Sequence, residues 1–173
     1  VMGRTAGWIA ACAGLAGGAE AILVPEVDYD LDDLADRLRA RHSSGHDYSI
    51  VVVAEGTPDP QGEEETSGVD AYGFARLGGV GNVIAHELER RTGYECRVTT
   101  LGYLQRGGTP TAYDRILATR LGIAAGELAL EGRTGVMVAV RGDRIEPVPL
   151  DVVSAPPRAL DLERYQEAAW FFA

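Results

Sequence analysis

Arg106 stands directly before Gly107 and Gly108, at the end of the stretch LGYLQ. A glycine pair lets the backbone approach a ligand closely, and a guanidinium offers a planar fork of donors to an oxyanion. Tyr103 to Gly108 therefore reads as a phosphate-binding loop, with a tight turn carrying a solvated arginine as the alternative. Arg4 lies between Gly3 and Thr5-Ala6-Gly7, at another junction of the same kind. It is either a second anion contact or an ordinary surface arginine. Glu55 closes the apolar run VVVA, so its carboxylate emerges from a buried strand. There it can accept hydrogen bonds from substrate hydroxyls, or serve as a helix cap or salt-bridge partner. Arg97 follows Glu95 by two residues, which puts both on one face of a strand and makes an internal ion pair the competing reading.

The elements that must position these groups alternate in type. The small apolar segment from Gly7 to Ala16 predicts a packed helix closed at Gly17-Gly18. AILVP (21–25) and SIVVVAE (49–55) predict buried strands, and VMG at the start reads as the end of another. Between them Asp30 can cap a helix whose Leu31, Leu34, Ala35 and Leu38 fall on one face. TPDPQGEEETSGVD (57–70) is expected to be a solvent-exposed loop, followed by a helix closed at Gly93. ECRVTTLG (95–102) predicts a third strand, TAYDRILATRLG an amphipathic helix, and VMVAV (136–140) a fourth strand turning at RGD. DLERYQEAAWFF predicts a C-terminal helix. Strands alternating with helices imply an α/β fold with a mainly parallel sheet and helices on both faces. In such sheets ligands bind beyond the carboxyl ends of the strands, where Met2-Gly3-Arg4, Glu55 and the Tyr103–Gly108 loop are all placed.

Composition narrows the chemistry. The 173 residues suffice for one domain with a sizeable core, and the net charge of -10 argues against nucleic acid and anionic membranes as partners. All 16 basic residues are arginine, which excludes Schiff-base chemistry and a lysine general base within this chain. No apolar run approaches the ~20 residues that span a bilayer, and no charged segment leads into an apolar one at the start, so a cytoplasmic location is expected. Cys12 and Cys96 read as buried free thiols. His42, His46 and His86 lack metal-ligand spacing, so no metal site is assigned to this chain.

In combination these residues resemble the 6-phosphofructokinase family, in its C-terminal half. The matching segments are VMGRTAGWIA, GLAGGAEAILVPE, VVVAEG, TGYECRVTTLGYLQRGGTPTAYDRILATRLG and YQEAAWFF, in that order and nearly end to end. The segment GVDAYGFARLGGVGN is similar to the actinobacterial branch. The resemblance implies a substrate-binding role, with fructose 6-phosphate as the acceptor and ATP or pyrophosphate with Mg²⁺ as the donor. It implies that Met2 and Gly3 line the sugar and that Arg4 also stabilises charge on the transferring phosphoryl group. By the same resemblance Glu55 holds the fructose hydroxyls, and Arg106 holds the 6-phosphate and sugar. Arg97 reaches the 6-phosphate bound by a neighbouring subunit, which implies a homo-oligomer, dimer or tetramer, with a shared active site. Tyr103 replaces the family's usual histidine, as in some pyrophosphate-dependent members. Gly18 and Glu20 match part of the bacterial effector site, while residues 44–48 read SGHDY where a basic cluster is expected.

The family's topology further implies a fructose 6-phosphate lobe over residues 1–104. Residues 105–173 would then form a crossover segment returning to a donor-binding lobe, plus the C-terminal helix. The donor loop, the aspartate base and the Mg²⁺ ligands are expected upstream of Val1, so this chain alone is expected to be inactive. The alternative from another class is a non-catalytic sugar-phosphate-binding module or a regulatory paralogue.

Overall fold

The computed structural model describes residues 1–60 and 79–170. Most of the expected loop at 57–70 lies outside the described residues, as do Phe171 and Phe172. Two compact units are present: Val1–Gln105 together with the chain from Arg158 onward, and Arg106–Pro157.

In the first unit, α1 (Trp8–Gly17) leads into β1 (Ala21–Leu23), α2 (Leu31–Ser43), β2 (Val51–Val53) and α3 (Val80–Thr92). β1 and β2 are parallel, with Ala21 opposite Val51 and Leu23 opposite Val53. Residue alternation sends the two faces of this pair into two cores. Ala21, Leu23, Val51 and Val53 pack against Leu34, Leu38, Ile84 and Leu88 of α2 and α3. Ile22, Val24, Val52 and Ala54 pack with Ala10 and Ala11 of α1 and with Leu160. The expected α/β layering, helices on both faces of parallel strands, is what the chain forms. Ile22, Leu34, Ile84 and Val24 are fully buried, each contributing about 1.5–3 kcal/mol of transfer free energy.

Helix ends follow local chemistry. The Asp30 carboxylate accepts from Asp32 N (2.7 Å) and Asp33 N (3.3 Å), satisfying the first turn of α2. Gly18 and Gly93 close α1 and α3 in the left-handed region, with φ of +66° and +75°. Residues 1–3 continue the pairing along the edge of β2 opposite β1. Val1 N donates to Val53 O (2.6 Å), Glu55 N to Val1 O (2.8 Å), and Gly56 N to Gly3 O (3.0 Å).

The third expected strand, 95–102, is not a strand. Tyr94 and Cys96 are half-buried and Glu95 and Arg97 exposed, but residues 98–101 are all exposed, and no strand among the described residues pairs with the segment. Cys96 packs against the α2–α3 core, whereas Cys12 is exposed, contrary to its expected burial; both thiols are free. Residues Gly102–Arg106 form a short 3₁₀ turn. The C-terminal helix, α5 (Leu162–Ala169), belongs to the first unit, where the Tyr165 hydroxyl donates to Ile22 O (2.7 Å).

The second unit holds α4 (Ala112–Leu130) and the antiparallel pair β3 (Val136–Arg141) and β4 (Arg144–Pro149), which turn at Gly142-Asp143. A reciprocal capping box starts α4: Thr111 Oγ1 accepts from Asp114 N (3.3 Å), and the Asp114 carboxylate accepts from Thr111 N (2.9 Å). Among the described residues no helix is long and apolar enough to cross a membrane.

An arginine clasp joins α2 to α3. Arg91 pairs with Asp32 (2.7 Å) and with Glu87, and Glu87 also accepts from Arg90 (2.9 Å). Hydrogen bonds from Arg90 and Arg91 pull the Glu87 carboxyl from 4.5 down to about 2. A carboxyl depressed by folding stabilises the fold above its unfolded value, and that contribution is lost as pH falls from 4.5 through about 2. Glu87→Gln should therefore make acid unfolding shallower across that window, read as unfolding midpoints at a series of pH values. An unchanged acid slope would remove the clasp from the account of acid stability.

Candidate functional site

The site is built where the edge segment 1–3 leaves β2. Because Val1 and Gly3 are hydrogen-bonded alongside β2, Arg4 emerges beside Glu55, the second residue beyond the strand. Gly3 N donates to Glu55 Oε1 (3.3 Å), and Arg4 Nε lies 3.9 Å from the same oxygen. Both side chains remain partly open, 40% exposed for Arg4 and 24% for Glu55, so each can reach a ligand while contacting the other. A cation and a carboxylate held together at strand carboxyl ends can grip a phosphate and a hydroxyl of one molecule.

Crowded backbone fixes this arrangement. A Cβ on Gly56 would fall 2.0 Å from Arg4 O and 2.8 Å from Gly3 O, so only glycine lets the two chains run this close. Met2 is held by a long-range contact: its N–H donates to Gln105 Oε1 (3.0 Å), while Gln105 Nε2 donates to Gly102 O (3.0 Å). Gln105 thereby ties the 3₁₀ turn after Leu101 to the Met-Gly-Arg segment.

The other residues singled out in the sequence are placed as follows. Tyr103 is 85% exposed on the 3₁₀ turn. Arg106 ends that turn and opens the second unit. Arg97 is exposed and bonded to Glu95 (2.9 Å), and that hydrogen bond pushes its guanidinium up from its ordinary value. Both members of this pair face water, so the contact is weak and can yield to another anion. Gly18 ends α1. Glu20 is buried, pairs with Arg41 Nη2 (2.7 Å) and accepts from Ile50 N, which locks the entry to β1 onto the entry to β2.

The structure thus brings Met2, Gly3, Arg4 and Glu55 together. Neither Gln105 nor Gly56, which hold this arrangement, is marked by residue type alone. Gln105 and Gly56 do lie inside the LGYLQRGG and AEG segments, and their adjacency to charged residues was the available signal. Among the described residues, no three of His, Cys, Asp and Glu gather closely enough to hold a metal ion.

Comparison with known proteins bears on this geometry. The sequence matches the family described as Phosphofructokinase over residues 1–129. It is 49% identical to the pyrophosphate–fructose 6-phosphate 1-phosphotransferase of Amycolatopsis mediterranei, over 99% of this chain and 51% of the relative. It is 42% identical to the ATP-dependent 6-phosphofructokinase of Corynebacterium efficiens, over 99% of this chain and 50% of the relative. The chain thus spans about half the length of the curated relatives it matches. The crystal structure of Pichia pastoris phosphofructokinase in the T-state superposes with a TM-score of 0.64 at 31% identity, covering 97% of this chain and 16% of that one. With three quarters of its length matched by the family and its strand-end arginine and carboxylate in place, this chain belongs to the phosphofructokinase family.

Proposed function

We propose that this chain is the fructose 6-phosphate-binding half of a 6-phosphofructokinase, which transfers a phosphoryl group from ATP or pyrophosphate to the sugar's 1-hydroxyl in glycolysis. The observation that carries this reading is the junction of Gly3, Arg4 and Glu55 beside the end of β2. Glu55 accepts from the fructose hydroxyls, Met2 and Gly3 line the sugar, and Arg106 binds the 6-phosphate with Tyr103 as a neutral donor. Arg97 exchanges its exposed Glu95 partner for the 6-phosphate of a neighbouring subunit, in a cytoplasmic dimer or tetramer. In this reading residues 1–104 form the substrate lobe, and 105–173 hold the crossover segment toward a donor lobe plus the C-terminal helix, which belongs to the first unit.

Phosphoryl transfer depends on positioning and charge stabilisation, and Arg4 supplies a fixed positive charge next to the acceptor. Mg²⁺ bound with the donor would supply further charge neutralisation on the donor's phosphates, and among the described residues no cluster of His, Cys, Asp and Glu would hold it. The two relatives described above are named for different donors, so donor choice is tested directly.

The test is turnover of fructose 6-phosphate with ATP and with pyrophosphate by the complete polypeptide that carries this chain. Absence of turnover with either donor, alongside retained sugar-phosphate binding, would favour a non-catalytic binding module. Within the same reading, Arg106→Ala should weaken fructose 6-phosphate binding roughly 10- to 150-fold, the loss of a charge-assisted contact worth about 1.5–3 kcal/mol. Isothermal titration measures it, and unchanged affinity would remove the Arg-Gly-Gly loop from the site.

A further inference from the structure

We infer that Glu26 is a positioning residue for Arg4, coupling the Met-Gly-Arg segment to the C-terminal segment that begins at Arg158. Arg4 lies between two pinned glycines. On one side Gly3 is held by Glu55 Oε1 (3.3 Å) and by Gly56 N, which donates to its carbonyl (3.0 Å). On the other side Gly7, the N-cap of α1, donates its N–H to both oxygens of Glu26 (3.1 and 3.0 Å). A Cβ at Gly7 would fall 2.4 Å from Val24 Cγ1 and 3.0 Å from Glu26 Oε2, so the backbone rests directly on the exit of β1.

α1 has no acidic residue in its first turn and no side-chain cap of its own. Glu26 supplies the missing negative charge from another element, where the helix dipole favours it. Glu26 thereby satisfies the Gly7 N–H at the start of α1 and holds the far end of the Arg4 loop.

The same carboxylate has a second task. Glu26 Oε1 also accepts from Leu160 N (2.9 Å), and the Leu160 side chain is buried with Ala10, Ala11, Val24 and Ala54. Trp8 reinforces the joint: its Nε1 donates to Arg158 O (3.0 Å), and the Arg158 guanidinium lies 5.1 Å from the centre of the Trp8 ring. The C-terminal segment is therefore latched onto the residues that follow Arg4, with one carboxylate shared between them. Loosening either contact releases the far end of the Arg4 loop while leaving Glu55 in place to hold substrate hydroxyls.

The catalytic part of this inference rests on the phosphotransfer reading above; the mechanical coupling does not. Two measurements on the complete polypeptide separate them: hydrogen–deuterium exchange of the segments 3–7 and 158–161, and kcat and KM for fructose 6-phosphate. Glu26→Ala should speed exchange in both segments and lower kcat about tenfold, with KM moved less than about threefold. Glu26→Gln, which keeps one accepting oxygen, should fall between alanine and wild type in both measurements. It also carries the test if the alanine variant fails to fold. Unchanged exchange at 3–7 would overturn the coupling. Faster exchange with kcat intact, or a loss expressed only in KM, would reduce Glu26 to a structural role. A wild-type protein without turnover would refute the phosphotransfer reading, and the exchange data alone would then decide the coupling.

Discussion

Gly56→Ala is expected to lower kcat/KM for fructose 6-phosphate by about 100-fold or more in the complete polypeptide, because a displacement near 1 Å at a reacting centre costs that much. The added methyl would sit 2.0 Å from Arg4 O and 2.6 Å from Arg4 C, both backbone atoms that no side-chain rotation can move aside. Relief requires shifting either the Glu55-Gly56 turn or the Arg4 backbone, and both carry site residues. The shift would also break the Gly56 N to Gly3 O bond (3.0 Å), the last rung joining segment 1–3 to the end of β2. Because Gly3 N and Arg4 Nε both address Glu55 Oε1, their geometry fails together rather than singly. Thermal unfolding should move less than activity, since β1, β2 and the cores on either face do not depend on Gly56. Steady-state kinetics at a temperature well below the unfolding midpoint gives the answer. An alanine variant with near-native kcat/KM would mean that the close approach of the two chains is not what aims Arg4.

What could be read from the sequence was whatever periodicity, capping chemistry or charge encodes locally. Asp30 and the i, i+3, i+4, i+7 spacing of Leu31, Leu34, Ala35 and Leu38 announce α2, and the apolar runs at 21–25 and 49–55 become β1 and β2, the second only half-buried rather than buried as expected. Segment 95–102 shows the limit of that information. An apolar, strand-like sequence suggests extended backbone but cannot say whether a partner strand exists, and here Cys96 turns inward while Val98 and Leu101 stay exposed. α4 runs on to Leu130, beyond the expected stop at Gly122. Gly122 and Gly126 have nothing near their missing Cβ atoms, and a glycine inside a helix costs only about 1 kcal/mol.

The same distinction divides the site. Arg4 and Glu55 were legible because charged side chains at strand ends suggest ligand chemistry before any fold is known. Gln105, Glu26 and Gly56 act on backbone groups of residues far away in sequence, at Met2, Gly7 and Arg4. No spacing rule encodes such contacts, since they exist only once the strands are registered. Glu26 in particular enters the sequence only as the last residue of the segment GLAGGAEAILVPE, with no role of its own, and only the position of Gly7 gives it a task.

Arg4→Ala is expected to lower kcat by roughly 100- to 1,000-fold, the scale seen when one preorganised donor to developing charge is removed. Affinity for fructose 6-phosphate should change far less, because Glu55 and Arg106 are proposed to supply ground-state binding while Arg4 responds to charge that grows during transfer. Arg4→Lys should recover only part of the loss. A lysine ammonium is a single compact charge and cannot keep the lateral Nε contact toward Glu55 (3.9 Å) while presenting other donors outward. The contrast with Glu55→Gln separates the two roles: that variant should raise KM for the sugar more than it lowers kcat. A double-variant cycle over Arg4 and Glu55 then tests whether the pair acts as one unit. Coupling near zero would mean that the carboxylate does not orient the arginine. If Arg4→Ala kept kcat within about threefold while raising KM, Arg4 would be a ground-state phosphate ligand, and the charge that assists transfer would have to come from another residue.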